Sequence, residues 1–148
     1  MRRRICSWIT EAPVQVTSRY RFAAAHRLDT PALSVEENRK LYGKCNNPFG
    51  HGHDYILDVT VDGPVDDNGL VVNRAAFDAI VRGAVLEKLD HKNLNIDLVE
   101  FANEVPTTEN LAMVVRDYLT AAWTLPAKLV RVRLSETERN TFVWEAGQ

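Results

Sequence analysis

Apolar residues first recur at alternate positions in Val14 and Val16 and again in Phe22, Ala24 and His26, which predicts a β-strand over residues 14–27. Residues 51–61 alternate in the same way, with His51, His53 and Tyr55 on one face and Ile56 on the other. Between them, residues 30–48 are polar and hold the turn formers Pro31, Gly43, Asn46, Asn47 and Pro48, so they read as an irregular loop. Gly63-Pro64 and the run from Asp66 to Gly69 mark a turn, after which the period changes. Phe77, Ile80, Val81, Ala84, Val85 and Leu89 recur at helical spacing and predict an amphipathic helix over residues 73–89. Leu111, Val114, Val115, Tyr118 and Leu119 predict a second helix over residues 108–122, with Pro106 and Thr107 just before its start. Two more alternating stretches, residues 129–134 and 141–144, predict closing strands.

The order strand, strand, helix, helix, strand, strand is an α+β plan: a four-stranded antiparallel sheet with both helices on one face. Such a sheet leaves its other face and its edges uncovered, which favours assembly with further copies. The 148 residues suit one domain. A formal net charge of -2 provides no general attraction to nucleic acid or anionic lipid, and no apolar run reaches membrane-spanning length. Arg2, Arg3 and Arg4 precede an apolar stretch that stops at Thr10-Glu11, too short for a secretory signal. Residues 1–13 are therefore expected to be a flexible extension before a single domain over residues 14–148. Cys6 and Cys45 read as free thiols and the cytoplasm as the compartment.

The chemistry lies in the histidines. His51-Gly52-His53 on a strand places two imidazoles on one face, and His26 is in phase with Phe22 and Ala24 on the other strand. If the strands pair, three imidazoles converge. Zinc suits that set, because three protein ligands leave a fourth position open for substrate. On spacing alone, a His-Gly-His is also compatible with two ordinary histidines, and His26 with a hydrogen-bonded core residue. Cys45 lies on the loop leading into His51; its thiol could serve as a base beside a cation, as a fourth metal ligand, or as a buried structural residue. Asp90-His91 follows the first helix, where the pair could carry a proton or simply finish the helix. Glu109 stands in the first turn of the second helix, a locally favourable place for a carboxylate. Glu136 ends the third strand, either as a solvated acid or as a two-oxygen acceptor for an aminopyrimidine.

Five segments carry these residues: Phe22 to Leu28, Cys45-Asn46-Asn47-Pro48-Phe49-Gly50-His51-Gly52-His53, Leu89 to Leu94, Pro106-Thr107-Thr108-Glu109-Asn110 and Ser135-Glu136-Thr137. In that order they resemble the motifs of the 6-pyruvoyltetrahydropterin synthase family across residues 14–144. The resemblance implies a tunnelling-fold (T-fold) subunit. Three such subunits join their sheets into a barrel, and two trimers stack into a hexamer with active sites at subunit interfaces. It implies one Zn2+ per subunit on His26, His51 and His53, with Mg2+ a possible further cation. Cys45 would be the proton-abstracting base, Asp90 and His91 a relay, and Glu136 the pterin anchor, with Glu109, Thr107 and Thr108 in the same pocket. The implied substrate is 7,8-dihydroneopterin triphosphate, and the product 6-pyruvoyltetrahydropterin, formed with loss of triphosphate in tetrahydrobiopterin biosynthesis. Lys40, Lys44 and Arg27 are candidates by position for holding the triphosphate. Asp54 stands where the family often has asparagine, and Ala23 and Ala25 where serines are usual.

Two rival readings remain at this point. The related 6-carboxytetrahydropterin synthases take the same substrate but release acetaldehyde, and usually carry the cysteine closer to the His-Gly-His. The segment Asn46 to Gly50 between Cys45 and His51 looks like the pyruvoyl type. A non-catalytic zinc-stapled domain would instead place Cys45 on the metal and leave no open position.

Overall fold

Two long strands frame the molecule. β1 (Val14–His26) and β2 (His51–Gly63) pair antiparallel along their whole length, Val14 opposite Gly63 and His26 opposite His51. The structure, a computed structural model, describes residues 12–148; Cys6 and most of the expected extension over residues 1–13 lie outside the described residues.

Helix α1 (Val35–Tyr42) and a 3-10 turn, Gly43–Asn46, connect the two strands, where the composition predicts only an irregular loop. The signal is a capping box: the Ser34 hydroxyl accepts from the Glu37 N–H, and the Glu37 carboxylate accepts from the Ser34 N–H. The helix buries only Asn38, so it shows no apolar stripe to find. After β2, helix α2 (Arg74–Val81) runs through a π-helical turn, Arg82–Leu86, into a last short helix, α3 (Glu87–Leu89). Together they occupy the residues expected to form the first helix.

The chain then departs from the expected plan. β3 (Lys92–Asn93) pairs parallel to β1 through Ala24 and Ala25. The sheet is therefore five-stranded and mixed, in the order β3-β1-β2-β4-β5, rather than four-stranded and antiparallel. Two residues carry no periodicity, so this strand exists only through its partner. A short helix α4 (Leu94–Asp97), the long helix α5 (Thr108–Ala122), β4 (Lys128–Ser135) and β5 (Thr141–Glu145) complete the order.

Both main helices lie on one face of the sheet, as the patterning predicts. Phe22, Tyr55, Leu57, Val59, Val132 and Leu134 from the strands meet Phe77, Val81, Val85, Leu111, Val115 and Leu119 in one buried cluster. The same alternation that points Phe22 and Tyr55 into this cluster points His26, His51 and His53 towards the helix side at the strands' end. The opposite face is charged. Asp58 accepts from Arg19 Nε at 2.8 Å and from Arg133 Nη1 at 3.3 Å, and the Arg19 hydrogen bond holds its carboxyl below the usual carboxylate range. Among the described residues, no helix is long and apolar enough to cross a membrane.

Candidate metal centre and active site

The antiparallel register builds the centre. His26 faces His51 directly, and His53 lies two residues further along β2, on the same face. His53 Nε2 lies 3.2 Å from His26 Nε2 and 3.2 Å from His51 Nε2. It also lies 3.4 Å from Glu136 Oε1. A neutral ring nitrogen offers either one proton or one lone pair, so His53 Nε2 cannot hydrogen-bond to all three neighbours. The crowding is instead that of ligand atoms: nitrogens at about 2.0–2.1 Å from a tetrahedral zinc stand about 3.3 Å apart. Behind the cluster, His26 Nδ1 donates to the Pro106 carbonyl at 2.9 Å, which leaves its Nε2 with a free lone pair. Burial pushes the His26 and His53 imidazoles down, towards the neutral form that binds a metal.

Cys45 completes the group. Its Sγ is 3.2 Å from His51 Nε2, and the sulfur and three imidazole nitrogens all lie within 4.8 Å of one another, so these four residues could hold a metal ion. Burial, and secondarily the Glu136 carboxylate, push the Cys45 thiol up, so a nearby cation is what would make it a base. The Cys45 loop is fastened to the chain just beyond β1 by the Leu28 N–H, which donates to the Cys45 carbonyl at 2.7 Å, and by Asn46 Nδ2, which donates to the Leu28 carbonyl at 2.7 Å.

Gly50 makes the last turn before His51. Its φ is +69°, and a Cβ there would sit 2.7 Å from the His26 carbonyl oxygen. Gly50→Ala is therefore expected to cost about 2 kcal/mol of stability through a strained backbone. Thermal unfolding measures this, and metal content falls with it because the loop carries Cys45 and His51.

Glu136, just beyond β4, reaches the cluster, with Oε1 3.7 Å from His26 Nε2 and its side chain 11% exposed. A solvated strand-end acid does not describe it. The Thr107 hydroxyl caps α5 by accepting from the Asn110 N–H, and Thr108 is buried beside it. Both follow Pro106, whose carbonyl holds His26, so the start of α5 is tied to the centre; Glu109 is exposed in that first turn. The sequence marks Pro106 as the residue before the helix and part of a motif, but its bond to His26 has no signal there, because it is made by a backbone carbonyl.

Asp90 and His91 form a separate unit. His91 Nδ1 and Asp90 Oδ2 are 3.1 Å apart, and Asp90 Oδ1 accepts from the Ala23 N–H at 2.9 Å. His91 adopts a φ of 60°, a left-handed conformation uncommon for a residue other than glycine or asparagine, and its N–H donates to the Ala23 carbonyl. Its side chain is 83% exposed, and among the described residues no hydrogen bond joins the pair to Cys45 or to the three histidines. His91, but not Asp90, borders a cavity of about 500 Å3, which it shares with His53, Ala25, Gly52, Asp54 and Asn93.

The family model described as 6-pyruvoyl tetrahydropterin synthase matches residues 15–146. The chain belongs to the 6-pyruvoyl tetrahydropterin synthase family. Membership makes it an enzyme of the lyase class. It is 46% identical over 133 residues to the 6-pyruvoyl tetrahydrobiopterin synthase of Homo sapiens, covering 88% of this chain and 90% of that one. Its fold matches the solved structure of the Caenorhabditis elegans 6-pyruvoyl tetrahydropterin synthase with a TM-score of 0.86 at 35% identity, over 93% of this chain and 99% of that one. A putative 6-carboxy-5,6,7,8-tetrahydropterin synthase of Archaeoglobus fulgidus is 32% identical over 88 residues, 60% of this chain and 69% of that protein. Within the family, similarity is thus higher and longer towards the pyruvoyl-named relatives.

Proposed function

We propose that this synthase-family chain is a zinc enzyme that converts 7,8-dihydroneopterin triphosphate to 6-pyruvoyltetrahydropterin with elimination of triphosphate. The single observation that carries the reading is three imidazole nitrogens converging between a thiol and a carboxylate, Cys45 and Glu136. His26, His51 and His53 would hold the zinc, one ion per subunit, and Mg2+ is a possible further cation. When bound, zinc supplies Lewis acidity and positive charge beside the thiol. The Cys45 thiolate then takes a proton from carbon on the substrate's side chain. The Glu136 carboxylate accepts the paired N–H donors of the pterin ring, with Thr107, Thr108 and Glu109 shaping the same pocket.

Asp90 and His91 are proposed to return protons as a relay. Since no hydrogen bond joins them to Cys45 in their own chain, that role is proposed to operate across a subunit boundary. Phe49, Ile96 and Val99 leave large apolar side chains 96%, 79% and 82% exposed on the segments that flank His51 and follow His91, and such surface suits an interface. The reading adopts the trimeric barrel and stacked hexamer of the T-fold, a catalytic domain over residues 14–148, and the cytoplasm as compartment.

Incubating the metal-loaded protein with 7,8-dihydroneopterin triphosphate tests this. The expected products are 6-pyruvoyltetrahydropterin and inorganic triphosphate. Release of acetaldehyde would replace the pyruvoyl assignment with the carboxy one.

A further inference from the structure

We propose that the cavity between α1 and the Cys45 loop binds the substrate's triphosphate chain, held by Arg39 and Lys44. This rests on the pterin triphosphate reading above and adds the site that reading lacks. The cavity measures about 490 Å3, and Arg39, Gly43, Lys44, Asn47 and His51 line it. His51 is the shared wall, because its Nε2 also stands 3.2 Å from Cys45 Sγ. The cavity therefore begins where the metal centre ends, and an extended chain leaving the reacting carbons can enter it directly.

Charge separates this cavity from its neighbours. No carboxylate lines it. The cavity beside His91 sets Asp54 and Asp97 beside Lys92, and the one on the charged sheet face sets Asp54, Glu136 and Glu138 among Arg19, Arg21 and Arg133, so in both a cation comes with carboxylates. A polyanion is repelled by acid-lined walls and attracted by unpaired cations. Among the described residues, neither Arg39 nor Lys44 takes part in an ion pair. Arginine offers a planar fork matched to phosphate oxygens, and lysine a mobile point charge.

The structure also sorts the cations suggested by chain position. Arg27 is engaged with Asp29 at 3.3 Å. Lys40 is exposed on α1 and does not line the cavity, whereas Lys44 does. Arg39 escapes a reading of residues 30–48 as a loop. Once residues 35–42 form a helix, Arg39 lies one turn before Gly43, on the face that meets the Cys45 loop.

The test is equilibrium binding of two probes, 7,8-dihydroneopterin triphosphate and unphosphorylated 7,8-dihydroneopterin, to the zinc-loaded protein. Arg39→Ala and Lys44→Ala should each weaken the triphosphate ester about tenfold, the effect of one charge-assisted contact. They should leave dihydroneopterin affinity and zinc content unchanged, and Lys40→Ala should leave both affinities unchanged. The proposal is overturned if wild type binds the two probes equally, if the variants bind the ester as wild type does, or if both probes weaken together. A protein that shows the expected discrimination but makes no pyruvoyl product refutes the enzymatic assignment and leaves this site standing.

Discussion

Replacing Cys45 with alanine is expected to leave the metal bound and to lower turnover by about three orders of magnitude, the scale of a lost general base. The three imidazoles remain, His26 still oriented by the Pro106 carbonyl, so the variant keeps the nitrogen donors that converge in the wild type. What it loses is the sulfur beside His51. Zinc content per chain and single-turnover product formation read the two effects separately. Cobalt(II) substitution sharpens the comparison, because a thiolate ligand adds a charge-transfer band that a nearby base does not. If Cys45→Ala sheds its metal and unfolds, the thiol is a ligand, the coordination sphere is closed, and a structural staple replaces the catalytic reading.

His26→Ala has the second large effect, and it falls on stability and metal together. His26 is fully buried, and its ring both fills the space at the end of β1 and satisfies the Pro106 carbonyl. Truncation leaves a cavity and an orphaned acceptor, at a cost of about 2–4 kcal/mol. Metal affinity should drop by more than about 100-fold, the upper figure for losing only a supporting partner of a ligand. Chemical denaturation and competition with a chelator measure these. A variant that keeps both wild-type stability and wild-type metal affinity would remove His26 from the centre.

The same residues set a pH dependence. Burial holds the folded-state His26 and His53 below the ordinary histidine value of about 6.5, so both are neutral at pH 7. Metal affinity should be level through neutrality and fall as pH drops below about 6.5, when protons begin to compete. In metal-free protein the unfolded chain binds these protons first, so stability also falls with pH, and the penalty stops growing below the folded-state values.

Much of this is legible in the sequence. Alternation with period two identified the faces of β1 and β2, and because a strand permits only two faces, it also put His51 and His53 together. The helical stripes located α2 and α5 for the same reason: each buries a wide apolar surface in one core. Where no apolar stripe exists, as in α1, pattern reading had nothing to register, although the Ser34 and Glu37 capping box was present. β3 could not be read at all, since two residues become a strand only when Ala24 and Ala25 supply their partners.

By itself, then, the chain's residue order determined the two-sided strands, the two amphipathic helices and the shared face of His51 and His53, because those depend on local period and residue type. Tertiary structure alone decided that His26 meets His51 across the sheet, that Glu136 turns in towards the imidazoles, that His91 shares a cavity with His53, and that Arg39 and Lys44 share one with His51. Those are distances between residues far apart in the chain. They follow from strand register and loop packing, which no local pattern encodes.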